Sequence, residues 1–195
     1  MKVLITGSDG FIAKNLIVRL GELEGFETVT FSRQTPEMQL PDSVSNIDAV
    51  VHLAGINRSQ SPEEFVSGNT GLTQSLCQAL LECGRQVPVI FTSSTQAALD
   101  NPYGKSKLDA ESALRDYAAQ TGASVYIYRL PNVFGKWCKP NYNSAVATFC
   151  HNIARSLPIQ INDSNAALSL VYVDDVVDEF ICVLNNKPPV EAAES

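Results

Sequence analysis

The first thirteen residues restrict the fold of this 195-residue chain more than any other stretch. Lys2 to Thr6 is a short apolar strand, and it runs straight into Gly7-Ser8-Asp9-Gly10-Phe11-Ile12-Ala13. Phe11, Ile12, Leu16, Ile17, Leu20 and Leu23 then recur at helical spacing. A strand that turns through Gly-x-x-Gly-x-x-Ala into a helix has the form of a dinucleotide fingerprint. Gly7 permits the tight turn, Gly10 lets a pyrophosphate approach the backbone, and Ala13 is small enough for the helix to pack on the strand. The free N–H groups and the positive end of the helix then point at the phosphates. Gly7, Asp9, Gly10, Phe11 and Ile12 are the candidate cofactor contacts. An ordinary glycine turn could carry the same residues; the position between first strand and first helix favours the phosphate reading.

The remainder of the chain repeats the alternation. Strands are expected at 28–31, 48–53, 87–92, 124–129 and 168–173, and helices at about 62–83, 103–121, 143–156 and 174–185. Residues 34–47 carry Pro36 and Pro41 and read as a loop. Several strands are apolar throughout, as strands are when helices cover both faces of a parallel sheet. The expected fold class is therefore α/β, a Rossmann-type doubly wound parallel sheet. It fills one nucleotide-binding domain, residues 1–186, followed by a polar tail or linker at 187–195.

Charge narrows the partners. With 21 acidic and 14 basic residues, a net charge of −7 offers no footprint for nucleic acid or an anionic membrane. A bound phosphate must be held by backbone amides and a few placed cations. No apolar run approaches the ~20 residues that span a bilayer, and no secretory leader is evident, so a cytoplasmic protein is expected. The five cysteines form no Cys-x-x-Cys pair, and His52 and His151 are the only histidines, so no metal is expected in this chain.

The second strand ends in Phe31-Ser32-Arg33, with no acidic residue before Glu37. An acidic residue here would bind the ribose hydroxyls of NAD(H); Ser32 and Arg33 suit the 2′-phosphate of NADP(H) instead. NADP(H) is expected over NAD(H).

The strand ending in Ser93-Ser94 is followed by Tyr103-Gly-Lys-Ser-Lys107. Residues four apart on a helix share a face, so Tyr103 and Lys107 can meet at the C-terminal end of the sheet, where ligands of such folds bind. The lysine ammonium is expected to lower the phenol toward the working range, and Ser94 to hydrogen-bond the reacting oxygen. Two exposed helix residues would share this spacing; the serine-tipped strand and the upstream glycines favour the catalytic reading.

Together, Thr6-Gly7-x-x-Gly10-Phe11-Ile12, Val51-His52-Leu53-Ala54-Gly55, Ser93-Ser94, Tyr103-Gly-Lys-Ser-Lys107, Arg129-Leu-Pro-Asn132-Val-Phe-Gly135 and Tyr172-Val-Asp-Asp175 resemble the extended short-chain dehydrogenase/reductase family. The resemblance implies a Ser94/Tyr103/Lys107 catalytic triad and cofactor contacts from Leu53, Ala54, Gly55, Tyr103 and Lys107. It also implies a supporting role for Asn69. His52 is expected as a strand residue near the cofactor rather than a base. Dehydratases of the family carry an Asp-Glu pair after the catalytic Ser/Thr; Thr95 and Gln96 stand here, so hydride transfer without dehydration is expected.

The stretch 126–144 is similar, more narrowly, to the reductase half of bifunctional capsule-sugar enzymes on the route to UDP-N-acetyl-L-fucosamine. That resemblance implies NADPH-dependent C4 reduction of a UDP-linked 4-keto-2-acetamido-2,6-dideoxyhexose. Asn132, Lys136, Trp137 and Asn143 are the candidate contacts to the UDP-sugar, with Lys139 and Tyr142 beside them; Trp137 is equally readable as plain packing. The usual substrate lobe and C-terminal cupin are expected to be incomplete or absent, and a strand and helix between the second and third strands to be lost. A homodimer is usual in the wider family. The competing readings are an NAD-dependent nucleotide-sugar 4-epimerase, a non-enzymatic NADP-binding sensor or scaffold, and a truncated NADP-binding protein without activity.

Overall fold

The computed structural model describes residues 1–161, 163 and 165–186. The polar tail expected at 187–195 lies outside the described residues. The chain divides into two compact units, 1–129 and 130–195.

The first unit is built on one sheet in the order β2-β1-β3-β4-β5. The strands are β1 (Lys2–Thr6), β2 (Glu27–Phe31), β3 (Ala49–His52), β4 (Val89–Ser94) and β5 (Val125–Leu130). β1 pairs in parallel with both β2 and β3, and β3 with β4. Chain order thus reverses direction at β1. Right-handed crossovers in opposite directions put their helices on opposite faces and open a crevice at the C-terminal ends of β1 and β3.

Side chains alternate across the strands. Leu4, Val50, Val89 and Phe91 pack in one buried cluster with Leu76 and Leu80 of α4 (Leu72–Glu82) and Ala110, Leu114 and Tyr117 of α5 (Pro102–Thr121). α1 (Phe11–Gly21) buries Ala13, Leu16 and Leu20 outside that cluster. α5 begins at Asn101, whose side-chain oxygen accepts from the Gly104 N–H at 2.8 Å with Pro102 in the first turn. It stops at Gly122, whose φ of +76° is the left-handed value a helix terminus asks of glycine.

Three expectations need correction. Residues 34–47 are not all loop: a single 3₁₀ turn at Glu37–Gln39 leads into α2 (Leu40–Val44). The prolines that suggested a loop sit before the turn and inside the first helical turn, where a missing N–H costs nothing. Leu40 and Val44, four apart, enter the core with Ile47. The strand expected at 87–92 runs instead over Val89–Ser94. Pro88 offers no donor, and Val87 turns its N–H and carbonyl to the Tyr117 hydroxyl at 3.2 and 2.9 Å. The helix expected at 62–83 is α3 (Pro62–Phe65), a π-helical turn over Val66–Gly71, and α4.

The second unit contains β6 (Asn132–Phe134), which the sequence pattern did not disclose, α6 (Ala145–Ile153), β7 (Leu170–Tyr172) and α7 (Val173–Leu184). β6 and β7 form a parallel pair. Ser144 caps α6 through the Ala147 N–H. α7 buries Val173, Val176, Val177 and Phe180, whereas α6 has no buried residue. Among the described residues, no helix is long and apolar enough to cross a membrane.

Candidate active site

Strand pairing brings the glycine turn against the end of β3. Gly7 has φ +66°, and a Cβ there would lie 2.7 Å from the Ala54 Cα and N and 2.9 Å from the Leu53 carbonyl carbon. Only glycine allows both the left-handed turn and that approach. The Gly10 N–H closes the turn onto the Gly7 carbonyl at 2.8 Å. Asp9 and Gly10 are exposed, Phe11 and Ile12 half-buried. Among the described residues, a Cβ on Gly10 would meet only the Gly7 carbonyl, at 3.0 Å, so the start of α1 is a cradle fit for a pyrophosphate.

Behind this turn a chain of buried hydrogen bonds fixes the protons one by one. The Thr73 hydroxyl donates to the Asn69 carbonyl at 2.7 Å, so it can only accept from His52, whose Nε2 lies 2.9 Å away. His52 Nε2 therefore carries the ring proton. Nδ1 is then the acceptor, and Thr6 donates to it at 2.6 Å while its oxygen accepts from the Ala54 N–H at 3.2 Å. Burial first, and the Lys107 charge second, push His52 down to about 3. The ring is a neutral strut next to the nucleotide turn, in keeping with a strand residue rather than a base.

Asn69 sits in the π-helical turn and is buried. Its Oδ1 accepts from the Ile56 N–H at 2.8 Å, and its Nδ2 donates to the Ile56 carbonyl and the Ser106 hydroxyl, both at 2.9 Å. Ser106 in turn donates to the Tyr103 carbonyl at 2.8 Å. Leu53-Ala54-Gly55 is held by these anchors; a Cβ on Gly55 would come 2.8 Å from Asn69 Oδ1 and 3.7 Å from Lys107 Nζ. The loop that includes Gly55 therefore borders the lysine amine.

Of the three candidate catalytic residues, Ser94 and Tyr103 stand beside each other and Lys107 follows one helical turn after Tyr103 on α5. The Ser94 side chain stands near enough to the Tyr103 phenol to act on its titration. It also accepts from the Gln96 N–H at 3.2 Å, which leaves its own proton to be given to another acceptor. Tyr103 packs its ring against Phe65, with centroids 5.7 Å apart. Lys107, one turn on, is buried with its amine 4.3 Å from the centre of the Phe91 ring. Burial lowers the amine to about 7, with the Glu111 charge acting the other way.

One expectation fails here. The phenol is not lowered by the lysine: burial raises Tyr103 above its ordinary value, with the Ser94 side chain opposing. Desolvation penalises the phenolate, and the ammonium expected to compensate is itself desolvated. A phenol kept neutral is suited to giving a proton.

Glu111 went unnoticed in the sequence. It has no exposed surface, and it gathers Ser93 Oγ at 2.6 Å, Arg129 Nε at 2.8 Å, Arg129 Nη2 at 2.7 Å and Arg115 Nη2 at 2.9 Å. Burial would raise this carboxyl, but the hydrogen bonds from Arg129, Ser93 and Arg115 prevail and hold it near 2. The four-residue step from Lys107 was the available signal; the bidentate partner in another strand had none.

Ser32 follows β2 and shapes a turn: its N–H donates to Thr35 Oγ1 at 3.2 Å and its hydroxyl accepts from the Gln34 N–H at 3.1 Å. Arg33 projects from that turn, exposed and without an ion pair among the described residues.

Asn132, Lys136, Trp137 and Asn143 all belong to the second unit. Asn132 opens β6, its N–H donating to the Ser169 carbonyl at 3.2 Å. Lys136 lies 4.2 Å over the Trp137 ring. Trp137 is exposed and has φ +66°, a strained value for a bulky side chain. Asn143 is exposed just before the Ser144 cap. The structure brings Lys136 and Trp137 together. Among the described residues no group of acidic, histidine and cysteine side chains could hold a metal ion.

Residues 3–193 match the family described as NAD dependent epimerase/dehydratase. The chain is 53% identical over 187 residues to UDP-2-acetamido-2,6-beta-L-arabino-hexul-4-ose reductase of Pseudomonas aeruginosa, covering 96% of this chain and 50% of the reductase. The capsular polysaccharide assembling protein CapF of Staphylococcus aureus superposes with a TM-score of 0.87 at 45% identity, over 98% of this chain and 52% of CapF. The chain thus spans about half the length of these relatives. UDP-glucuronic acid 4-epimerase from Bacillus cereus, solved with NAD, shares the fold at a TM-score of 0.84 and 21% identity, over 97% of this chain and 76% of the epimerase.

Proposed function

The chain belongs to the NAD dependent epimerase/dehydratase family, and on that premise we propose that it reduces C4 of a UDP-linked 4-keto-2-acetamido-2,6-dideoxyhexose, with NADPH as cofactor. The observation that carries this reading is the placement of Ser94 beside the Tyr103 phenol, with the buried Lys107 amine one turn further along the same helix. The similar reductase and CapF support the substrate class.

NADPH, when bound, supplies the hydride. The protein's part begins with the glycine turn, where Gly7 and Gly10 let the backbone meet the pyrophosphate. Ser32 and Arg33 take the 2′-phosphate, and Lys107 holds the nicotinamide ribose. Tyr103 hydrogen-bonds the C4 oxygen of the sugar. As negative charge develops there, the Tyr103 Oη proton passes to that oxygen and the Ser94 hydroxyl donates a second hydrogen bond to it. Burial keeps Tyr103 protonated until that moment, which fits the reductive direction. Thr95 and Gln96 follow Ser94 and carry no carboxylate, so no group there drives loss of water. In the second unit, Lys136, Trp137, Asn132 and Asn143 are assigned to the UDP-sugar.

The test is NADPH oxidation, followed by absorbance, with UDP-2-acetamido-2,6-dideoxy-4-keto sugars as substrates. The reading requires stoichiometric oxidation and a C4 alcohol product. Purified protein that retains oxidised NAD and interconverts C4 epimers without net oxidation would overturn it in favour of an epimerase.

A further inference from the structure

Glu111 is the most heavily bonded carboxylate described, and the proposed chemistry does not use it. It lies one helical turn beyond Lys107 on α5, about 5–6 Å along the axis. Its Oε1 accepts from Ser93 and Arg129 Nε, and its Oε2 from Arg129 Nη2 and Arg115 Nη2. Three elements therefore meet on one carboxylate: β4 through Ser93, the neighbour of Ser94; α5; and the end of β5 through Arg129.

We propose that Glu111 is a positioning residue of the reaction centre, fixing the tip of β4 through Ser93 and providing the buried negative charge against which the Lys107 amine is held. The inference rests on the reading of Lys107 as the ribose-binding amine.

The charges around the pair decide the sign. On α5 these are Tyr103, Glu111 and Arg115; on β3, His52; on β5, Arg129. Tyr103 is neutral by burial, and so is His52. The two arginines are positive, but their side chains are 56% and 42% exposed, whereas Glu111 is at 0%. Water screens the arginines far more than the carboxylate. The arginines cancel only part of its field, and the field left at Lys107 is net negative. It opposes the desolvation that lowers the amine to about 7. Because four donors already saturate Glu111, it acts on Lys107 through its field and through the shared helix, without needing a direct bond to the amine.

A purely structural cross-link makes the opposite prediction. If Glu111 only braces the fold, Glu111→Gln loosens the site, water reaches Lys107 and its amine titrates higher. If Glu111 supplies the charge, the same variant makes the amine titrate lower. The measurement is NMR of the full chain with isotope-labelled lysine, following the Lys107 side-chain resonance across pH, assigned by its loss in Lys107→Arg. The expected result is a midpoint lower by about one pH unit or more in Glu111→Gln, with Glu111→Asp, which keeps the charge, close to the parent. A midpoint in Glu111→Gln that is unchanged or higher overturns the proposal. Should Glu111→Gln fail to fold, Arg129→Gln takes its place: removing the counter-charge is expected to raise the midpoint, and a fall or no change overturns the proposal. NADPH affinity and turnover of Lys107→Met are measured alongside. Parent-like values there reject the reductase reading alone, while the Lys107 midpoint still decides whether the coupling exists.

Discussion

The backbone of Gly104 rests against the carbonyl of Gln96. A Cβ on Gly104 would collide with that oxygen and lie 2.8 Å from the Leu99 carbonyl. Two backbone segments thus meet with nothing between them, and that contact sets Tyr103, the preceding residue, beside Ser94.

Gly104→Ala is therefore expected to be costly, although α5 is a helix and alanine is its favoured residue. Neither carbonyl is the tip of a flexible side chain. Destabilisation of roughly 1–3 kcal/mol is expected from overpacking, with a larger fractional loss of turnover as Tyr103 is displaced. Urea denaturation and turnover at saturating cofactor measure the two effects.

Tyr103→Phe removes the proton and keeps the ring against Phe65. Turnover is expected to fall roughly 10²–10⁴-fold, and NADPH affinity to stay nearly unchanged. Stopped-flow hydride transfer together with nucleotide titration checks both. Near-parental turnover would remove Tyr103 from the mechanism.

Arg33 projects from the turn that Ser32 builds, exposed and unpaired among the described residues. Replacing it by serine should weaken NADPH binding about tenfold or more, the loss of one charge-assisted hydrogen bond, and leave NADH binding untouched. Isothermal titration with both nucleotides makes the comparison. Equal losses for the two would place Arg33 away from the 2′-phosphate.

His52 sets how the protein responds to acid. Buried and lowered to about 3 from an ordinary 6.5, it stays neutral in the folded chain while the unfolded chain takes up a proton. The unfolded state binds more protons between those values, so stability falls as pH drops from 6.5 toward 3 and is flat on this account above 6.5. The slope is at most about 1.4 kcal/mol per pH unit. Glu111 adds its own loss only below 4.5, toward about 2. Between pH 6 and 5 the slope belongs to His52, and denaturant titrations of His52→Asn should show it abolished.

The sheet and the nearness of Ser94 to Tyr103 were legible because their signals are local. The glycine turn, the apolar strands and the Tyr103–Lys107 spacing each occupy a few consecutive residues. What stayed hidden depends on distance or on irregularity. The bond from Arg129 to Glu111 crosses 18 residues of sequence and leaves no periodic trace. α2 was masked by its own Pro41, which marks a loop and a first helical turn equally well. β6 spans only Asn132–Phe134, too short for alternation to register. The rise in Tyr103 escaped because the sequence places a cation nearby without saying how much water is lost.

The π-helical turn at Val66–Gly71 holds one residue more than a regular helix would need for the same advance. Each helical residue turns the chain by about 100°. Shortening this stretch by a single residue would straighten it, yet swing its two flanks out of phase. Asn69 could then reach Ser106, or Thr73 could reach His52, but not both. The number of residues in this turn is therefore constrained along with their identities.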